Sequence, residues 1–373
     1  MLLTDQAFSI ISTYAADVSG VCSALFEFGG MCIMHDASGC NSTYNTHDEP
    51  RWYSSDSMVY ISGLSEMEAV MGDDTKITDD IVDAADELKP HFIAIAGTTI
   101  PAVIGTDLEA IAYEVQSRTG IPAFSISSDG MHSYLYGAGI AFKELVSRFA
   151  EETARTKNIS VNILGTTPLD FSINGYAEDL NEYLKINGIE VIANLGMGGN
   201  LDDVKRSASA HVNLVVSSCG IPAAKWMKEK FDIPYVMGIP IKGSCRIADL
   251  IKDADRGSQI FAGFAMGANT DDADTYIIHE PVYALSLREY LQKQYGICAN
   301  VISPPDADGF FKNSVYTMDS ENKTRELLKN AVRIIADPMY KPICPKNAEF
   351  IPLAHEAFSG RIYRNDIPNL LDI

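Results

Sequence analysis

Short apolar runs that end at or beside a glycine recur along this chain, each set against a stretch with helical spacing. His91–Gly97 is one such run, preceded by the amphipathic Asp79–Leu88 and followed by a helical pattern at Asp107–Thr119 and a second run at Ile121–Ser127. A long helical pattern from Ala138 to Thr156 closes this stretch, and the polar break Arg155–Asn158 separates it from the next. Strand 160–165, helix 174–186, strand 190–195, helix 200–208, strand 211–216, helix 222–230 and strand 235–239 then alternate. A third series starts near Asp274, with strands 275–278, 299–303, 331–335 and 349–352 and helices 284–295 and 321–330. Strands that read as continuous apolar runs are buried on both faces, and a helix between two of them supplies the crossover a parallel pair needs. The pattern therefore predicts an α/β fold of three Rossmann-like, doubly wound units with mostly parallel four- to five-stranded sheets. The expected units are 1–158, 159–270 and 271–373, in keeping with a length of 373 residues, too long for one core.

Composition narrows the partners. The chain carries 29 basic and 50 acidic side chains, a net charge of −21, which repels a phosphate backbone and argues against nucleic acid. It has no apolar run of about 18 residues, so no membrane span is expected. The first twenty residues carry Asp5 and Asp17 without a basic flank, which does not resemble a secretory signal. Seven irregularly spaced cysteines suggest reduced thiols and a cytoplasmic location.

In open parallel sheets, ligands sit beyond the carboxyl ends of the strands. Those ends are Gly97-Thr98-Thr99, Gly165-Thr166-Thr167, the loop Gly196–Asn200, Ser217-Ser218-Cys219, His279-Glu280 and His355. The loop carries Gly196, Gly198, Gly199 and Asn200 between a strand and a helix. Its amides can hold an anion or simply make a tight turn. Cys219 opens a helix, where the dipole favours a thiolate, so it reads either as a nucleophile or metal ligand or as a small buried residue. His132 and His355 follow or end strand patterns, where polar groups meet a crevice. No phosphate-binding G-x-x-x-x-G-K-S/T motif and no G-x-S-x-G elbow occurs.

The stretch 20–53 holds Cys22, Cys32 and Cys40. Cys32 lies inside an apolar run and reads as core. Cys22 and Cys40 flank the predicted helix–strand pair 21–28 and 31–35. Two thiolates per chain do not complete a four-thiolate iron–sulfur site, but a twofold dimer doubles the count.

Five local patterns, in order, resemble the nitrogenase component 1 superfamily. They are Gly20 through His35-Asp-Ala-Ser-Gly39-Cys40; Gly97 through Ile104-Gly105-Thr-Asp107; Asp129 through Gly137; Val161–Gly165 through Asn213-Leu-Val-Val216 to Pro234; and Phe350 through His355 to Ser359-Gly360. The superfamily's pattern differs from this chain in places. Aligned through Gly39-Cys40, its first bridging cysteine falls near Ala15–Ala16, and aligned through Ile104-Gly105, its third falls on Thr99. Cys219 and His355 lie slightly off the superfamily's cofactor cysteine and histidine. A full eight-iron cluster and dinitrogen reduction are therefore not expected.

The resemblance implies the catalytic component of a two-component oxidoreductase. A separate ATP-dependent homodimeric iron protein would donate low-potential electrons, and a second copy or a paralogue would be the dimer partner. The electrons would pass through a cluster, expected as [4Fe–4S], shared across the dimer interface by Cys40 and Cys22. They would reduce an unidentified small molecule or a tetrapyrrole, with a second metallocofactor or a tetrapyrrole as a possible further group. Cys219, His132 and His355 are the expected catalytic residues. Gly97, Thr98, Thr99, Gly196, Gly198, Gly199, Asn200 and Ser359 are the expected cofactor contacts. Two rivals share this fold: a scaffold that assembles or carries such a cofactor, and a cluster-free ligand-binding protein.

Overall fold

Each run of apolar residues picked out above becomes a strand, and the strands sort into three separate parallel sheets. The computed structural model describes residues 8–37, 39, 41, 44, 49–242, 247–257, 259–270 and 273–371. The first sheet holds β1 (Met31–His35), β2 (Met58–Ile61), β3 (Ile93–Gly97) and β4 (Ala123–Ile126), in the order β2-β1-β3-β4. The second holds β5 (Ser160–Thr166), β6 (Glu190–Gly196), β7 (Val212–Val215), β8 (Tyr235–Met237) and β9 (Phe261–Ala262), ordered β6-β5-β7-β8-β9. The third holds β10 (Thr275–Ile278), β11 (Ala299–Ser303), β12 (Tyr316–Thr317), β13 (Arg333–Ala336) and β14 (Glu349–Pro352), ordered β12-β11-β10-β13-β14.

This topology decides where a site can form. In the second sheet β5 sits between β6 and β7, so the chain leaves it toward one side and returns on the other. In the third sheet β10 is flanked in the same way by β11 and β13. Strand order reverses at these two points, as it does at β1 between β2 and β3, and connecting helices diverge there to leave a crevice at the carboxyl ends. Those ends carry Asp170 just beyond β5, Cys219 beyond β7, and His279 and Glu280 beyond β10.

The first unit is locked against this crevice by two helices. Asp17–Leu25 is buried along nearly its whole length against the long helix Tyr134–Phe149. They touch backbone to backbone at glycines. A Cβ on Gly20 would run into the Tyr134 carbonyl, and one on Gly137 would run into the Asp17 carbonyl. The side chain of Asp17, fully buried, accepts from the amides of Asp129 (3.0 Å) and Gly130 (2.9 Å) and so fixes the loop that feeds the long helix. Tyr134, the first residue of that helix, is thereby aimed at the second and third sheets. One continuous apolar core runs through all three units.

The structure also moves some expected boundaries. The first helix starts at Asp17 rather than Val21, and the long helix spans Tyr134–Phe149 rather than 138–156. Strand Met58–Ile61, helix Ile247–Gly257 and the two-residue edge strands β9 and β12 have no counterpart in the expected pattern.

Candidate functional site

At the meeting point of the three units lies a buried cluster of ionisable side chains. Asp170 is its hub. Its Oδ1 accepts the Tyr134 hydroxyl at 2.5 Å and lies 3.1 Å from His355 Nε2, which places the imidazole proton on Nε2 when Asp170 is ionised. Its Oδ2 accepts from Thr167 Oγ1 at 3.3 Å. Asp170 and Tyr134 are 0% exposed and His355 1%, so each of these bonds is shielded from water. The His355 ring stacks on His279 at 3.9 Å between centroids, and His279 stacks in turn on Tyr283 at 4.1 Å.

Glu280 caps the helix Pro281–Tyr295, whose first-turn amides would otherwise be orphaned. One of its oxygens accepts from Tyr283 N at 2.9 Å, and the other reaches the second unit to accept from Ser218 N at 2.6 Å. It thus ties β10 to the turn that carries Cys219. The Cys219 thiol lies 3.2 Å from Ser217 Oγ.

Burial governs the electrostatics. It pushes Glu280 up from an ordinary 4.5 to about 8, with the Asp170 carboxylate adding to the effect. The carboxyl is therefore mostly protonated at neutral pH. Because its folded value lies above its unfolded one, its contribution to stability is full in acid and falls away as pH rises from about 4.5 to 8. Burial, then Asp170, also raises Cys219 well above the usual thiol range. The helix terminus that would favour a thiolate is outweighed, and Cys219 is a neutral thiol here. His279 is held far below its ordinary value by burial and then by His355, so it is a neutral imidazole. The charges that act most strongly on Cys219, Glu280, Tyr134 and Tyr283 are carboxylates.

Of the residues expected from sequence, Cys219, His355 and Ser359 come together at this junction. Ser359 Oγ donates to Asp337 Oδ2 at 2.6 Å, and the same oxygen accepts the His355 amide at 2.8 Å, so Ser359 positions the histidine from behind. His132 stays half-exposed, with Nδ1 3.2 Å from Asp306, a hydrogen bond that raises its pKa. Gly97, Thr98 and Thr99 lie at the carboxyl edge of the first sheet. Thr98 Oγ1 there donates to the His35 carbonyl and to Asp36 Oδ1, both at 2.9 Å, and Thr99 is exposed.

The glycine-rich loop is occupied from within the chain. Gly198 N donates to Glu27 Oε2 at 2.7 Å, a carboxylate from the first unit standing where an anion was expected. Gly196 (φ +134°) and Gly198 (φ +75°) hold a backbone that only glycine adopts easily, and a Cβ on Gly196 would strike the Thr166 carbonyl. Asn200 caps the following helix by accepting from Asp203 N at 2.9 Å, and Gly199 packs its backbone against Asn194. A cavity of about 460 Å³ opens beside this loop, lined by Glu27, Arg51, Ser172, Tyr176 and Gly198 among others.

Cys22 lies in the interior of the first unit, 0% exposed, with its Sγ 3.5 Å from Cys32 Sγ. A thiol sealed between a helix and a strand does not reach a neighbouring subunit, so a cluster shared through Cys22 does not fit this structure. Cys40, the other expected ligand, lies outside the described residues. No group of three or more His, Cys, Asp or Glu among the described residues is placed to hold a metal ion. At the junction, the rings of His355, His279 and Tyr283 stack in a row.

Asp170, Tyr134, His279 and Glu280 did not stand out individually in the sequence as site residues. The usable signal was positional: Asp170 follows Gly165-Thr166-Thr167, and His279-Glu280-Pro281 marks a strand end meeting a helix start.

Residues 18–250 of the 373 match the family of nitrogenase component 1 type oxidoreductases. This chain belongs to that family. Among relatives of this family member, the nitrogenase iron-molybdenum cofactor biosynthesis protein NifE of Clostridium pasteurianum is 29% identical over 210 residues, 55% of this chain and 45% of that protein. A subunit of the light-independent protochlorophyllide reductase of Prosthecochloris aestuarii is 30% identical over 154 residues, 41% of this chain and 29% of that one. This family member thus spans less than half the length of these curated relatives. The solved structure of nitrogenase Cp1 at pH 6.5 superposes with a TM-score of 0.72 at 15% identity, covering 100% of this chain and 92% of that one, which establishes the shared fold. No helix among the described residues is long and apolar enough to cross a membrane.

Proposed function

We propose that this chain is the catalytic component of a two-component reductase. A separate ATP-dependent iron protein supplies the electrons, and the three-unit junction supplies protons to a small uncharged or cationic substrate. The observation that carries this reading is the Asp170 carboxylate oxygen shared by Tyr134 from the first unit and His355 from the third. A two-electron reduction takes up two protons, and each electron added to a bound molecule raises its affinity for a proton. Donors held in a buried cluster beside the substrate meet that demand. Glu280, mostly protonated at neutral pH, is one donor; His355 is the other, delivering a proton from Nδ1, which has no hydrogen-bond partner among the described residues, while Asp170 holds Nε2–H, and Cys219 stays a neutral thiol.

Substrate charge follows from the carboxylates. An anion brought beside Asp170 into a low-dielectric pocket is repelled, and this weighs against a multiply carboxylated tetrapyrrole. Small molecules with carbon–nitrogen or carbon–sulfur bonds suit the site better. A second reading, a scaffold that handles a cofactor without turnover, is favoured by the similarity to the cofactor biosynthesis protein.

The two readings separate in one experiment. The chain, purified anaerobically, is mixed with an iron protein, MgATP and dithionite, with methyl isocyanide and dimethyl sulfide as probes. The reductase reading predicts ATP-dependent probe consumption that falls at least 100-fold in Asp170→Asn, whose amide keeps the shape but loses the charge. Absence of ATP-dependent consumption with both probes, together with tight retention of a cofactor, would favour the scaffold.

A further inference from the structure

The junction is sealed, and a substrate needs a way in. The element that seals it is the N-terminal segment 9–16, which crosses from the first unit over the third. At its outer end, one carboxylate oxygen holds it: Glu321 Oε2 accepts from the amides of Ser9 (3.0 Å), Ile10 (2.8 Å) and Ile11 (3.2 Å). At its inner end Ala15 N donates to the Ala357 carbonyl, and the Ala15 carbonyl accepts from Tyr134 N, both at 2.8 Å. Between these anchors Ser12 is half-buried and Thr13 exposed, while Tyr14 turns inward. The Tyr14 ring lies 4.8 Å from Phe358, 5.7 Å from His355 and 6.2 Å from Tyr134, and its oxygen accepts from the Tyr340 hydroxyl at 3.1 Å. Tyr14 thus covers the two residues that share Asp170.

A segment fixed at two ends, with Ile11 and Tyr14 turned inward and no strand of its own, can lift without disturbing a sheet. Its outer anchor is one carboxylate beside the buried Ile11 side chain, in contrast to the backbone-to-backbone contact that locks Gly20 and Gly137. Three charge-assisted bonds converging on one oxygen make a strong latch, and one that a single substitution removes.

We propose that residues 9–16 form a gate over the junction, with Tyr14 as the plug and Glu321 as the latch, and that substrate reaches His355 and Cys219 when this segment lifts. This rests on reading the junction as the reaction site. Alkylation of Cys219 by N-ethylmaleimide, followed by peptide mass spectrometry on the full chain, reads access directly. Glu321→Ala and Tyr14→Ala are each expected to speed Cys219 labelling at least tenfold, while Cys22 and Cys32 stay as protected as in the unaltered protein. Unchanged labelling of Cys219 in the Glu321 variant overturns the gate. A rise shared by Cys22 and Cys32 overturns it as well, because general unfolding would then explain the labelling. Labelling needs neither electrons nor turnover, so a failed gate leaves the proton-supplying junction standing, and a failed reductase assay leaves the gate standing.

Discussion

Asp170→Ala is expected to destabilise the protein by about 3–5 kcal/mol, the scale for removing one partner from a buried, charge-assisted network. Three donors lose their acceptor at once: the hydroxyls of Tyr134 and Thr167 and the Nε2 proton of His355. Each is buried out of reach of water. The loss is greater than that of a single hydrogen bond because an orphaned buried donor keeps its full desolvation cost. Asp170→Asn keeps an acceptor oxygen and should lose much less, which separates shape from charge. Thermal unfolding of the two variants side by side checks this. Equal melting temperatures for Asp170→Ala and the unaltered chain would mean that the three donors find other partners.

Arg51→Met is expected to cost a similar amount, about 3–5 kcal/mol, for a different reason. The Arg51 guanidinium is buried and donates to Glu49 Oε1 (2.7 Å), Glu27 Oε1 (2.8 Å) and the Ser23 carbonyl (2.8 Å), with its plane 4.6 Å over the Phe26 ring. Burial works against its charge, but Glu49 and then Glu27 overcome this and hold its pKa above the ordinary arginine range. Without it, Glu49, itself 1% exposed, is a buried carboxylate lacking its cation. Glu27 also accepts from Gly198, so the loss propagates to the seam between the first and second units. Fluorescence of Trp52, whose ring lies 6.4 Å from Phe26, reports local loosening when Trp226 is replaced by Phe. Pairing Arg51→Met with Glu49→Gln should recover part of the loss, since no unpaired charge is left behind.

These two side chains also show what could be read from the sequence. The three parallel sheets were legible because strands buried on both faces leave continuous apolar runs, and β3 and β5 are the clearest cases. The edge strands β9 and β12 were not, since two residues leave no period to detect. Cys219 and His355 were legible as strand-end residues. Asp170 was not, because its importance lies in partners 36 and 185 positions away that only the packed fold brings to it. Cys22 misled for a related reason. Two thiolates flanking a helix–strand pair suggest cluster ligands that a dimer would double, yet the Cys22 helix is wedged against the long helix and buried along nearly its whole length.

The junction is a buried carboxyl, imidazole and phenol cluster built where the first unit meets the second and third sheets, and we propose that it stores protons. Infrared difference spectroscopy across pH 6 to 10 tests that most directly, by following the C=O stretch of protonated carboxyl groups. The account predicts a band that disappears with a midpoint near 8 and is absent in Glu280→Gln. A spectrum without such a band, or one that keeps it in the variant, would contradict it.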